Sequence, residues 1–256
     1  MDAGRIRHPV DFYLYQDKLP FLWCPGCGIG IVINSFVQAV DKKLPTRDHI
    51  AVASSGLSCA GKIPEVLTFL EIKITDDKLF RSAALYKRNN PEKKVVVFFS
   101  ENDLLSSEGK DLLAVCEQKT NILAILINTF VYQIFIEHRK LVDVPFSAST
   151  SGNSDSPFNI PHLAASCGAS YVARWTPLHC RRLKSSIQKA LDKEGFSLIE
   201  VISPCLMYHA SCGNLGKSLD RMGLFLKNTQ ILHNEPTENV DLRESPKIKV
   251  GNFIDR

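Results

Sequence analysis

The sequence predicts an α/β protein built on a doubly wound, mostly parallel sheet. Two runs, KVVVFFS at 94–100 and ILAILIN at 122–128, are almost continuously apolar, as strands buried on both faces must be. Stretches of helical period separate such runs, giving the strand–helix–strand alternation of a parallel sheet. With 256 residues and 45% hydrophobic content, the chain can bury a sheet of this size in one large domain.

The elements follow in order. Ile29, Ile33, Phe36, Val37 and Val40 fall on one face of a helix over 28–40. Strands are expected at 49–54 (HIAVAS), 94–100, 122–128, 170–175 (SYVARW) and 197–203 (SLIEVIS). Helices are expected at 79–89, 104–119, 160–167 and 178–193. The polar stretch 143–159 reads as a linker or binding loop. Residues 234–256 read as an extended tail with little core of their own. The expected organisation is an α/β domain over 1–210, including the cysteines at 24, 27, 59 and 205, and a C-terminal extension over 211–256. Ligands bind beyond the carboxyl ends of strands in such sheets, so the informative loops follow residues 100 and 128.

Composition excludes several classes. The net charge is +4 and no basic stripe interleaved with aromatics occurs, so nucleic acid is not an expected partner. The start, MDAGRIRHPV, lacks an apolar signal core, and no stretch approaches a membrane span. Eight cysteines then point to metal or cluster chemistry in a reducing compartment, with the cytoplasm expected.

Four of those cysteines stand in turn-like contexts: Cys24 and Cys27 in WCPGCG, Cys59 in SGLSCAG and Cys205 in ISPC. Four thiolates are the ligand set of an iron–sulfur cluster or a structural zinc. Pro25 and Gly26 suit a tight turn, and the pair precedes a helix whose dipole favours anionic sulfur. A thioredoxin-like redox pair also places Trp-Cys-x-x-Cys before a helix, but DKLPFL is a poor strand and two cysteines would be left over. Cys116 in LLAVCEQ and Cys167 in HLAASCG read as small buried apolar residues, and Cys180 as inert. Cys212 is a rival to Cys205.

Taken together, WCPGCG, SGLSCAG, the two strand ends, GASYVARW and ISPC resemble the β subunit of 2-oxoacid:ferredoxin oxidoreductases, the 2-oxoglutarate-type branch above all. The resemblance runs from about residue 14 to about residue 207 and returns at PKIKVGNF. It implies a thiamine diphosphate-binding fold and one [4Fe–4S] cluster on Cys24, Cys27, Cys59 and Cys205. It also implies oxidative decarboxylation of a 2-oxoacid to acyl-CoA, with coenzyme A as acceptor and ferredoxin taking the electrons. An α-type subunit is the implied partner, completing the thiamine site and supplying the glutamate that activates the cofactor. No catalytic residue is therefore assigned to this chain.

The thiamine motifs depart from the family pattern. Ser100-Glu101-Asn102, followed by Asp103, stands where the family has a GDG turn whose aspartate holds Mg²⁺. Glu101 keeps a hard oxygen ligand but reaches about 1.5 Å further, and Asn102 would need the left-handed geometry that glycine supplies. Asn128-Thr129-Phe130-Val131-Tyr132 keeps the form of the second ligand set, with the Thr129 hydroxyl and the Val131 carbonyl as magnesium ligands. Asp76-Asp77-Lys78 replaces His-Gly-Arg, and 134–139 lacks the family's glycines. The competing reading is a cluster-bearing electron-transfer or scaffold subunit that has lost thiamine; a third is a zinc-stabilised protein.

Overall fold

The computed structural model describes residues 9–18, 23–44, 46–55, 58–74, 78–129, 158–205, 227–242 and 247–256. Six strands run parallel: β1 (Ile50–Ser54), β2 (Leu70–Glu71), β3 (Lys94–Ser100), β4 (Ile122–Asn128), β5 (Tyr171–Trp175) and β6 (Ser197–Ile202). With β7 (Thr229–Ile231) and β8 (Ile248–Asp255) they form a sheet in the order β2-β1-β3-β4-β6-β5-β8-β7. The strand order reverses on either side of β1, the arrangement of a doubly wound sheet.

The helices are α1 (Ile29–Lys43), α2 (Ile63–Val66), α3 (Leu79–Asn89), α4 (Glu101–Leu105), α5 (Glu108–Glu117), α6 (Ile160–Ser166) and α7 (Cys180–Asp192). Side chains alternate across a strand, which divides the core into two layers. Val96, Phe98, Ile125, Ile127, Ile199 and Val201 meet Phe36 and Val40 of α1 and Leu183 and Ile187 of α7. Val95, Val97, Phe99, Ala124, Leu126 and Leu198 meet Phe80 of α3, Val115 of α5 and Ala164 of α6. Strands buried on both faces explain the unbroken apolar runs.

Two regions differ from the sequence expectation. The helix expected over 104–119 is two helices, and the first begins at Glu101, directly after β3. Asp103 Oδ2 accepts hydrogen bonds from the backbone N–H (2.7 Å) and hydroxyl (2.9 Å) of Ser100, which starts a helix at once. The break is at Ser106, whose backbone is extended (φ −85°, ψ −169°) and whose Oγ accepts from Glu108 N–H at 3.1 Å; Gly109 fits against the Leu104 carbonyl, where a Cβ would come within 2.2 Å. Asn102 is consequently helical and belongs to no left-handed turn. The tail is extended, as expected, but it is not apart from the core. β8 pairs antiparallel with β5 and buries Val250 and Phe253, so the 211–256 extension supplies the far edge of the sheet. The stretch 143–157, Asp76 and Asp77, residues 130–139 and Cys212 lie outside the described residues.

Candidate functional site

The turn of WCPGCG has a defined geometry. Cys27 N–H donates to the Cys24 carbonyl at 2.9 Å, with Gly26 at φ 81°. Proline followed by a positive-φ glycine is the signature of a type II turn. Gly28 has a different task. A Cβ there would meet Ser203 Oγ at 2.2 Å and Pro177 Cγ at 2.5 Å, so its bareness lets α1 approach the segment that carries Cys205.

Cys59 opens a 3₁₀ turn, Cys59–Lys62, after β1. Ser58 Oγ accepts from Ala60 N–H at 3.2 Å, and Ser54 Oγ donates to the Gly61 carbonyl at 2.8 Å. The Trp23 indole N–H donates to the Cys59 carbonyl at 2.8 Å, stitching this turn to the CPGC turn. Cys205 follows β6, and its N–H donates to the Thr129 carbonyl at 3.0 Å.

These segments bring the four thiols into electrostatic reach of one another. Burial pushes the Cys27 thiol up, and Cys59, Cys205 and Cys24 add like-charge repulsion. Burial also raises Cys59, with Cys205 and Cys24 next and Lys62 opposing them. Cys24 and Cys59 are exposed, while Cys27 and Cys205 are half-buried. Among the described residues, no three His, Cys, Asp or Glu side chains stand close enough to share a single metal ion. The all-sulfur donor set nonetheless suits a cluster, because thiolate ligands select iron–sulfur centres and a multi-iron body spreads them apart. Cys116 is fully buried and its thiol is pushed up to about 12, chiefly by burial, with the Cys167 thiol beside it.

A second set of groups lies at the neighbouring ends of β3 and β4. Glu101 is fully buried, and Thr129 N–H donates to its Oε2 at 3.0 Å. The Thr129 hydroxyl donates to Glu101 Oε1. Two of the three expected magnesium ligands, Glu101 and Thr129, are therefore adjacent, the carboxylate reaching from the end of β3 to the end of β4. Glu101 also adds to the repulsion felt by Cys59, so the carboxylate and the cysteines share one neighbourhood.

The other expected cofactor residues are placed differently. Asp103 is buried and caps its own helix, and its Oδ1 has no hydrogen-bond partner among the described residues. Asn102 is buried within α4. Asn128 Nδ2 donates to Glu200 Oε1 at 2.8 Å, inside the sheet layer. Val131 lies outside the described residues. Sequence reasoning missed Arg174 and Glu200, a buried pair at 2.6 Å. The signal was one charge in each of two otherwise apolar strands, YVARW and SLIEVI, since such charges are buried only when paired.

A mostly parallel sheet whose strand order reverses at β1, with Glu101 and Thr129 adjacent beyond the carboxyl ends of β3 and β4, defines a doubly wound α/β domain with its oxygen donors at the usual ligand position. In agreement, residues 81–201 match the family described as thiamine pyrophosphate enzyme, C-terminal TPP binding domain. The chain belongs to the β subunits of the 2-oxoacid:ferredoxin oxidoreductases, enzymes of several subunits. It is 32% identical to the 2-oxoglutarate synthase subunit KorB of Methanocaldococcus jannaschii, over 97% of this chain and 92% of that protein. The KorB subunit of Archaeoglobus fulgidus is 34% identical over 75% of this chain and 73% of its own length. In fold, the chain is similar to 2-oxoglutarate:ferredoxin oxidoreductase from Magnetococcus marinus, with a TM-score of 0.76 and 18% identity over 99% of this chain and 87% of the other. That protein was solved with 2-oxoglutarate, coenzyme A and succinyl-CoA bound. Among the described residues, no helix is long and apolar enough to cross a membrane.

Proposed function

We propose that this subunit works with an α-type partner in the oxidative decarboxylation of a 2-oxoacid to acyl-CoA, passing electrons through a [4Fe–4S] cluster to ferredoxin. The observation that carries the reading is the convergence of Cys24, Cys27, Cys59 and Cys205, from three segments widely separated in sequence, into one neighbourhood in which Cys27 feels the other three thiols and Cys59 feels those of Cys205 and Cys24. Burial and like-charge repulsion disfavour the thiolates of Cys27 and Cys59, and a cationic iron–sulfide body would offset both penalties. Thiamine diphosphate, when bound, supplies the electron sink that lets a 2-oxoacid lose carbon dioxide. The chain's own contribution there is Glu101, the Thr129 hydroxyl and the Val131 carbonyl, hard oxygens suited to the Mg²⁺ that accompanies the diphosphate. Among the expected reactants and carriers is nothing that requires a membrane, and the cytoplasm is the compartment this reading expects.

One observation favours a second reading, a cluster-bearing subunit without thiamine turnover. Both Glu101 oxygens already accept hydrogen bonds from Thr129, and magnesium has to compete with them. Anaerobic purification from the source, followed by iron, sulfide, zinc and thiamine analysis, separates the readings. About four irons and four sulfides per chain, with thiamine and a companion α-type polypeptide, support the decarboxylase. Cluster without thiamine supports the second reading, and zinc without sulfide overturns both.

A further inference from the structure

Three polar side chains cross an otherwise apolar layer of the core. Arg174 on β5, Glu200 on β6 and Asn128 on β4 share the sheet face of Leu126 and Leu198, with relative exposures of 1%, 0% and 0%. Arg174 and Leu126 both stand opposite Glu200 in the sheet register, and Asn128 is two residues further along β4. Arg174 Nε donates to Glu200 Oε2 at 2.6 Å, and Asn128 Nδ2 donates to Glu200 Oε1 at 2.8 Å. Arg174 Nη1 donates to the Val240 carbonyl at 2.6 Å. The row thus runs from the C-terminal 3₁₀ turn Thr237–Val240 to the carboxyl end of β4.

Stability is a weak reason for such a row. Desolvating two charges offsets most of their attraction, and apolar residues of similar volume often serve as well. What the row does fix is a position. Asn128 is the last residue of β4, and the next residue is Thr129, whose amide and hydroxyl both face Glu101. We infer that Glu200, held by Arg174, is a positioning residue: it grips the Asn128 side chain and so sets where the Thr129 oxygen stands relative to Glu101. The Asn128 side chain is then a tether inside the sheet, and its amide is not a ligand of the cofactor. Partners behind the direct ligands commonly orient them and tune metal affinity. This inference rests on the reading of Glu101 and Thr129 as magnesium ligands.

The test is titration calorimetry of Mg²⁺ with thiamine diphosphate on the assembled complex, with thermal unfolding in metal-free buffer alongside. Asn128→Ala leaves the Arg174–Glu200 pair intact and removes the hydrogen bond to Glu200 Oε1. It is expected to weaken magnesium-dependent binding by about ten- to a hundredfold. Asn128→Asp sets a carboxylate against Glu200 and should also weaken binding. Combining Asn128→Asp with Glu200→Gln swaps acid and amide. The new amide donates to Asp and accepts from Arg174, and binding should return to within about threefold of the wild type. A direct-ligand role predicts the opposite for Asn128→Asp alone, since it adds a hard oxygen; binding equal to or tighter than wild type overturns the inference. So does a double variant no better than the worse single one, or a loss of melting temperature with magnesium affinity unchanged. A wild-type complex that takes up no magnesium–thiamine diphosphate instead removes the ligand reading, and the inference falls with it.

Discussion

The N–H of Cys205 donates to the carbonyl of Thr129 at 3.0 Å, and the N–H of Ser203 to that of Asn128 at 2.8 Å. The fourth cysteine and the threonine facing Glu101 are therefore held by one continuation of the β4–β6 ladder. Under the proposed function, this main-chain link would hold the cluster and the cofactor site at a fixed spacing. It also means that disturbance at one site has a short path to the other.

The cysteine assignment predicts a sharp division among the thiols. Serine at position 24, 27, 59 or 205 should lower iron content and bleach the near-visible absorption, because a cubane needs four thiolates. The same change at Cys116, Cys167 or Cys180 should leave both nearly intact, since Cys116 is buried with a thiol pushed up to about 12. Iron and sulfide assays on each anaerobic variant check this. Unchanged iron in Cys205→Ser, with loss in Cys212→Ser, would move the fourth ligand.

Gly28 gives a second prediction through space alone. In Gly28→Ala the new Cβ runs into Ser203 Oγ and Pro177 Cγ, at 2.2 and 2.5 Å before relaxation. Forcing apart α1 and the 203–205 segment should cost about 1–3 kcal/mol, typical of overpacking. The same displacement carries Cys205 away from Cys27, so iron occupancy should fall with stability. Denaturant unfolding and iron assay on one preparation measure both, and full iron retention contradicts the geometry.

At Glu101 the prediction is a change in cofactor affinity. Shortening the side chain in Glu101→Asp should loosen its hold on Thr129 and tighten magnesium-dependent thiamine diphosphate binding. Adding Asn102→Gly should bring no further gain. Asn102 is already right-handed and helical, and glycine in a helix costs about 1 kcal/mol. Calorimetry on the assembled complex decides, and a marked gain from Asn102→Gly would show that α4 unwinds when the cofactor binds.

Much of this architecture was legible because burial on both faces leaves a plain mark. β3 and β4 contain almost no polar residue until their ends, and their bounds match the apolar runs. The split between α4 and α5 was not legible as a break, because it rests on the extended backbone of Ser106, which periodicity does not encode. The start of α4 did have a signal, Ser100 with Asp103 three residues on, but the helical apolar period begins only at Leu104. β8 reads as extended from KIKV, yet its pairing with β5 is a long-range choice between strands. At the site, residue types were readable and orientations were not. Asn128 has the chemistry of a cofactor contact, and only the position of Glu200 across the sheet turns it inward.

The last prediction concerns pH and a buried carboxylate at the start of α5. Glu108 is 3% exposed; its Oε2 accepts the Phe80 N–H at 3.1 Å, and its Oε1 has no partner among the described residues. Burial holds its pKa above the ordinary 4.5, with Asp111 and Asp103 adding repulsion and the Phe80 N–H and Lys78 opposing. Its folded pKa is therefore higher than its unfolded one. The favourable contribution of the protonated form is complete below pH 4.5 and is lost as pH rises through the folded value. At neutral pH the buried charge costs stability. Glu108→Gln keeps an acceptor for Phe80 and removes the buried charge that Asp111 and Asp103 repel. The variant should be more stable than wild type at pH 7, by roughly 1 kcal/mol. That advantage should shrink toward zero as the pH falls below 4.5, where wild-type Glu108 is itself neutral. Denaturant unfolding of both proteins across this range measures the difference; an advantage that grows on acidification would reverse the sign and show that Glu108 is held in its charged form.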